Sequence, residues 1–177
     1  MRCLLVSTLV VNVSALKASM ITLKLNKTYY KYDITGDKIK LTQVKSNDMY
    51  KNITISINGK KSVIKPSYSY YSSTIKLIHL SNGKAFLWVK GFSDNDDLFE
   101  AIYQYKKGKM VKVLDFRGVN QKYGYHTGTT ITKVSGKLIY TKQYLMSTSL
   151  GSIYFNYTYQ YKNGKFVRTS SIANIIK

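Results

Sequence analysis

The sequence predicts an all-β protein built from antiparallel hairpins, and three observations carry that expectation. First, a Gly-Lys step recurs at Gly59, Gly83, Gly108, Gly136 and Gly164, spaced 24, 25, 28 and 28 residues apart. Second, the runs between these steps are rich in Ile, Val, Thr and Tyr and alternate or cluster in short bursts, as strands do. Third, "YQYKKGKMVKV" from Tyr103 returns as "YQYKNGKFVRT" from Tyr159, 56 residues later. One hairpin per 24–28 residues means that two hairpins form a four-stranded unit of 50–56 residues. Periods of that size suit the blades of propeller-like folds. About three such units fit, giving roughly 11–13 strands and no substantial helix after residue 22. Three blades do not close a ring, so a partial propeller-like meander is expected, with a β-sandwich or barrel as the alternative.

The chain begins with "MRCLLVSTLVVNVSALKASM", a single Arg, an apolar stretch from Cys3 to Val13, and then small residues. The stretch is shorter than the ~18–20 residues of a membrane span. Its order is that of an export leader over residues 1–20, with Val13-Ser14-Ala15 as a cleavage site. The competing reading is a first buried strand. Cys3 is the sole cysteine and would leave with the leader, which excludes a disulfide-stapled domain. The remaining residues 21–177 then form a single β domain with no membrane span, at a secreted or cell-surface, bacterial location.

Lys24–Ser67 reads as the first and least regular unit, with Asn58-Gly59 as its turn. The next hairpin is "IKLIHLSNGKAFLWV". A two-residue Asn82-Gly83 loop would place Leu80 opposite Ala85 and Ile78 opposite Leu87. Ile78, Leu80, Ala85, Leu87 and Val89 would share one face, and Leu77, His79, Phe86 and Trp88 the other. Both faces are largely apolar, so this hairpin should be central and covered on two sides. Around Lys107-Gly108, Tyr105 should oppose Met110 and Tyr103 should oppose Lys112. Around Asn163-Gly164, Tyr161 should oppose Phe166 and Tyr159 should oppose Arg168.

The charge is strongly one-sided: 28 Lys+Arg against 8 Asp+Glu, a formal +20. Three of the cations are Arg (Arg2, Arg117 and Arg168), which leaves 25 Lys. Lysine is a hydrated point charge without the planar fork that reads phosphates and guanine edges. Attraction to a polyanion without fine reading of it follows, unless the Lys excess reflects coding bias alone. No recognition helix or RNA-binding pattern is present, and the cations are spread along the chain, which points away from nucleic acid. The two tyrosine-lysine phrases are the candidate contact: Tyr103, Tyr105, Lys107 and Lys109 in one, Tyr159, Tyr161, Lys162 and Lys165 in the other. A stacking platform there needs exposed rings; the alternative is a folding unit with ordinary solvated lysines.

Acids concentrate in two places. "YKYDITGDKIKL" holds Asp33 and Asp37, and "FSDNDDLFE" holds Asp94, Asp96, Asp97 and Glu100. Calcium loops need several oxygens at odd spacing and a Gly, and each stretch meets that in part. Asp94 and Asp96, and separately Asp33 and Asp37, are thus weak candidate calcium ligands, with polar turns as the alternative. The first stretch resembles a shortened form of the Asp-x-x-Gly-Asp-Gly opening of FG-GAP/VCBS-type repeats in secreted β-propellers. With "YGYHTGTTITKVSGKL" and "YQYKNGK", the chain also resembles uncharacterised exported β-rich proteins of low-GC Gram-positive bacteria. The first resemblance implies a propeller-type fold with Asp33 and Asp37 at its metal positions, where Lys38 and Ile39 cut the loop short. No other cofactor is implied.

Catalytic vocabulary is sparse. His79 falls within a hairpin, His126 in a Gly-rich loop where it could reach a ligand, and no Gly-x-Ser-x-Gly elbow, zinc ligand cluster or phosphate loop occurs. The sequence is therefore read as an exported non-catalytic protein that binds anionic cell-envelope or extracellular polymers through a Lys/Tyr-rich surface. The alternative is a carbohydrate- or calcium-binding module within a larger assembly.

Overall fold

The computed structural model describes residues 17–24, 28–29, 39–46, 50–64, 72–92, 98–116, 125–147 and 151–175. Among them there are thirteen strands and no helix: β1 (Ser19–Leu23), β2 (Thr28–Tyr29), β3 (Ile39–Ser46), β4 (Tyr50–Ile57), β5 (Lys60–Ile64), β6 (Ser72–His79), β7 (Ala85–Phe92), β8 (Leu98–Lys106), β9 (Lys109–Asp115), β10 (Tyr125–Ser135), β11 (Leu138–Ser147), β12 (Gly151–Lys162) and β13 (Lys165–Ile175). They form three antiparallel sheets, ordered β2-β3-β4-β5, β1-β6-β7-β8-β9 and β10-β11-β12-β13. Apart from β1, each sheet is an up-and-down meander of consecutive strands, and the described strands close no barrel. The all-β, hairpin-built architecture expected from the Gly-Lys steps is the one observed.

Turn chemistry explains the registers. Asn58-Gly59, Lys107-Gly108 and Asn163-Gly164 take positive φ at both central positions (48° and 81°, 48° and 82°, 51° and 84°). That is the type I′ geometry whose twist matches the strands it joins. Lys106 therefore faces Lys109, Tyr105 faces Met110 and Tyr103 faces Lys112. In the later hairpin Lys162 faces Lys165, Tyr161 faces Phe166 and Tyr159 faces Arg168. Each hairpin also carries one extra residue, Val113 and Thr169, five positions after its turn glycine. At the second of these bulges Thr169 Oγ1 donates to the Thr158 carbonyl at 3.2 Å.

The β6–β7 hairpin departs from expectation by one residue. Its loop is Ser81–Gly83, with Leu80 N donating to Lys84 O (2.9 Å) and Gly83 N to Leu80 O (3.0 Å). Gly83 alone takes a positive φ, 76°, while the Asn82 side chain accepts from Lys84 N at 3.3 Å. This three-residue loop pairs Ile78 with Phe86, Leu77 with Leu87 and Ile75 with Val89. The faces are correspondingly re-sorted, because one step of register turns a strand over. Ile75, Leu77, Ala85, Leu87 and Val89 point to one core, and Ile78, Leu80, Phe86 and Trp88 to the other.

The middle sheet is thus covered on both faces. One core joins it to the first sheet through Ile55, Ile57 and Ile64. The other joins it to the last sheet through Ile139, Leu145, Phe155, Tyr157, Tyr159 and Phe166. Phe86 lies edge-on to Tyr161 at 4.7 Å and tilted to Phe166 at 4.9 Å. Such aromatic pairs add about 0.5–1.5 kcal/mol beyond burial. Tyr103, Tyr105 and Met110 pack toward the first sheet, and Tyr159, Tyr161 and Phe166 toward the middle one. Each copy of the shared phrase therefore fills the interface with the sheet that precedes it.

Ser19 and Met20, which the sequence reading assigned to the leader, belong to β1 and pair with His79 and Ile78. The strand is short and carries Ser19 and Thr22, so nothing in its pattern separates it from the apolar run before it. Leu4 to Val11 lie outside the described residues.

Candidate polyanion-binding surface

The site begins with the two type I′ tips. Lys106 Nζ donates to the carbonyl of Gly164 at 3.2 Å and lies 5.8 Å from the centre of the Tyr161 ring. Tyr161 Oη in turn donates to Gln104 Oε1. These contacts set the β8–β9 tip beside the β12–β13 tip. Lys107, Lys109, Lys162 and Lys165 are all exposed on that shared rim, where like charges sum into one field.

The tyrosines divide differently from expectation. Tyr103 and Tyr159 are 8% and 2% exposed and belong to the two cores, so neither is a contact residue. The alternation that marks them as aromatic also turns them inward, since i and i+2 share a face. Tyr105 and Tyr161 are half-buried. Burial, with the neighbouring Tyr157 hydroxyl, pushes the Tyr159 phenol well above the usual tyrosine range, against the opposing pull of Arg168 and of its bond with Gln143.

A second feature lies on the outer face of the last sheet. Lys142, Tyr144 and Tyr154 stand on neighbouring strands, Tyr144 directly opposite Tyr154. The Lys142 ammonium is 3.7 Å from the Tyr154 ring centre and 5.3 Å from that of Tyr144. The two rings are 6.3 Å apart and inclined at 45°. Lys133 lies 5.7 Å from the Tyr140 ring on the same sheet. Sequence reasoning passed over this group although two signals were available. One is the alternation Tyr140-Thr141-Lys142-Gln143-Tyr144. The other is that no Asp or Glu follows Asp115 in the chain. Asp115 itself pairs with Lys112 at 2.7 Å, so the whole of β10–β13 is free of acids.

Asp33, Asp37, Asp94 and Asp96 lie outside the described residues. Among those described, no three His, Cys, Asp or Glu side chains come together as metal ligands. His79 is half-buried at the end of β6, and His126 lies not in a loop but in strand β10, paired with Leu145. Glu100 is fully buried and accepts from Trp88 Nε1 at 3.0 Å, a structural pairing inside the second core. No described helix is long and apolar enough to cross a membrane. Comparison with protein-family models, with curated proteins and with solved structures finds no match.

Proposed function

We propose that this is an exported, non-catalytic bacterial protein that binds anionic polymers of the cell envelope or extracellular space. The observation that carries the reading is the Lys106–Gly164 contact, which makes one cationic rim out of two separate tips. Lys107, Lys109, Lys162 and Lys165 are exposed there, and the segment after Asp115 supplies no acid to neutralise the last two. Charges within a Debye length, ~8 Å at physiological ionic strength, act together on a polymer that carries repeated negative charge. Lysine confers attraction without a fixed hydrogen-bond fork, which suits a polymer read by charge rather than by sequence.

The test replaces Lys107, Lys109, Lys162 and Lys165 with Gln, removing four charges from turns without touching a buried side chain. Binding to immobilised polygalacturonate and to inorganic polyphosphate is measured at low and at physiological salt. The expected result is steep salt dependence in the parent and a loss of about ten-fold or more at low salt in the variant, about 1.4 kcal/mol. Undiminished binding at low salt would show the tips to be scaffold. Export is read separately, by mass spectrometry of the N-terminus on secreted or cell-surface material; an intact Met1 there counts against it.

A further inference from the structure

We infer that the outer face of the β10–β13 sheet is a stacking platform for an acidic polysaccharide, with Tyr144 and Tyr154 receiving sugar rings and Lys142 receiving a carboxylate. This rests on the polyanion reading and narrows its polymer class.

The rings come first. Tyr144 and Tyr154 are cross-strand partners on one face, and aromatic side chains offer an electron-rich surface to the C–H face of a pyranose. On the β10 side the partner of Tyr144 is Gly128, just past a register shift in the strand. A glycine within a strand leaves that row without a side chain, and such positions occur where a ligand or another backbone comes close. Gly128, itself buried, sets no side chain of its own beside the Tyr144 ring.

The polar neighbours fit hydroxyl-rich ligands. Lys142 is flanked across the strands by Thr130 and Asn156, both exposed, and Tyr140 by Thr158. These are neutral donors and acceptors, the kind that hydrogen-bond to sugar hydroxyls. Exposed Met146 (50%) and Ile172 (63%) extend the apolar part of the same face.

Charge then selects among possible occupants. Lys142 has no acid on its own sheet, because none follows Asp115. Its ammonium rests on Tyr154 at 3.7 Å, a weak contact at a partly exposed site that a carboxylate can replace with a charge-assisted hydrogen bond. Two rings share one ammonium, so a sugar can stack on each ring while one carboxylate of the glycan meets Lys142. A single-stranded nucleic acid calls for a groove of cations that tracks its phosphate backbone. Polyphosphate has no apolar face to stack. Stacking of a second copy of this chain on the same face would bring Lys142 and Lys133 against their own duplicates, which like-charge repulsion opposes.

The test uses the full-length chain with four probes: polygalacturonate, its fully methyl-esterified form, inorganic polyphosphate and single-stranded DNA. Affinities are compared for the parent, Tyr144→Ala/Tyr154→Ala, Tyr144→Phe/Tyr154→Phe and Lys142→Gln. The expected result is a loss of about ten-fold or more for polygalacturonate in the double Ala variant, with polyphosphate affinity little changed. The double Phe variant should retain most of the affinity, which separates loss of stacking from loss of fold. Lys142→Gln should weaken polygalacturonate and leave the esterified polymer unaffected. Equal losses for polygalacturonate and polyphosphate, or a larger loss for DNA, would overturn the assignment while the polyanion reading stands. Polygalacturonate affinity unchanged by the double Ala variant does the same, as does a parent that sediments as a dimer broken by that variant. Absence of binding to every anionic probe overturns both.

Discussion

The ammonium of Lys106 donates to the backbone carbonyl of Gly164 at 3.2 Å, a contact between residues 58 positions apart that joins two turns. The β9 and β12–β13 strands bring no backbone ladder to that junction, because they belong to different sheets. Side chains alone hold the tips together: Lys106 on Gly164, and Tyr161 on Gln104. On the opposite side of the middle sheet, Met110 N donates to Ser62 Oγ at 3.0 Å, joining β9 to β5. Between the other turns, Ser81 N donates to Gly136 O at 2.9 Å. The stack is therefore fastened at its rims by a few hydrogen bonds and in its middle by two apolar cores.

The Tyr161–Gln104 bond is separable from the packing around it. Tyr161→Phe keeps the ring against Phe86 and Phe166, and Gln104→Met keeps the chain length at position 104. A double-mutant cycle on urea unfolding should give a coupling of about 0.5–1.5 kcal/mol, the range for one partly buried hydrogen bond. A coupling near zero would mean that the two sheets do not need this contact.

Much of the fold was legible in the sequence because its turns announce themselves. Asn58-Gly59, Lys107-Gly108 and Asn163-Gly164 require positive φ at two successive residues, and each fixes a register without help from the rest of the chain. Asn82-Gly83 carries the same dipeptide and takes another loop. Its Asn side chain bonds Lys84 N and Gly83 alone adopts the left-handed conformation, a choice that depends on where Leu80 and Ser81 are held. The candidate site was less legible. Periodicity says which residues share a face, but not which face is covered, so Tyr103 and Tyr159 looked as available as Tyr144 and Tyr154. Only the stacking of three sheets separates them.

Burial of Tyr159 ties the stability of the fold to pH in the alkaline range. Its phenol is neutral in the fold and held above the ordinary value of about 10 by burial. Below that value both folded and unfolded chains carry the proton, and the associated stability is fully present. Above it the unfolded chain ionises first, so stability falls by up to about 1.4 kcal/mol per pH unit until the folded value is reached. Unfolding midpoints measured from pH 9 to 11.5 should decline less steeply for Tyr159→Phe than for the parent. Parallel curves would assign the alkaline loss to other tyrosines.

Trp88 is the sole tryptophan, is 3% exposed, and reports directly on the core shared by the middle and last sheets. Its emission should be blue-shifted in the native protein and shift to the red in one cooperative step on unfolding. Trp88→Phe removes ring volume and the indole donor to Glu100, and should cost about 2–4 kcal/mol by circular dichroism in urea. A cost under 1 kcal/mol would place the indole in a looser setting than its contacts describe.

Thr141 offers the opposite sign. It lies on the inner face of β11, between Ile131 and Tyr157 in register, and is 2% exposed. Among the described residues its hydroxyl finds no hydrogen-bond partner, although burial has removed it from water. A buried hydroxyl left in that state costs roughly 1–3 kcal/mol, whereas a methyl group of similar shape makes only dispersion contacts. Thr141→Val should therefore stabilise the protein by about 1 kcal/mol, which at this chain length raises the melting temperature by roughly 2–4 °C. Thr141→Ser, which keeps the hydroxyl and loses the methyl, should destabilise it. If Val lowers the midpoint, the hydroxyl is bonded to a buried water, and a solvent-isotope or high-pressure unfolding experiment on the parent should register that water's release.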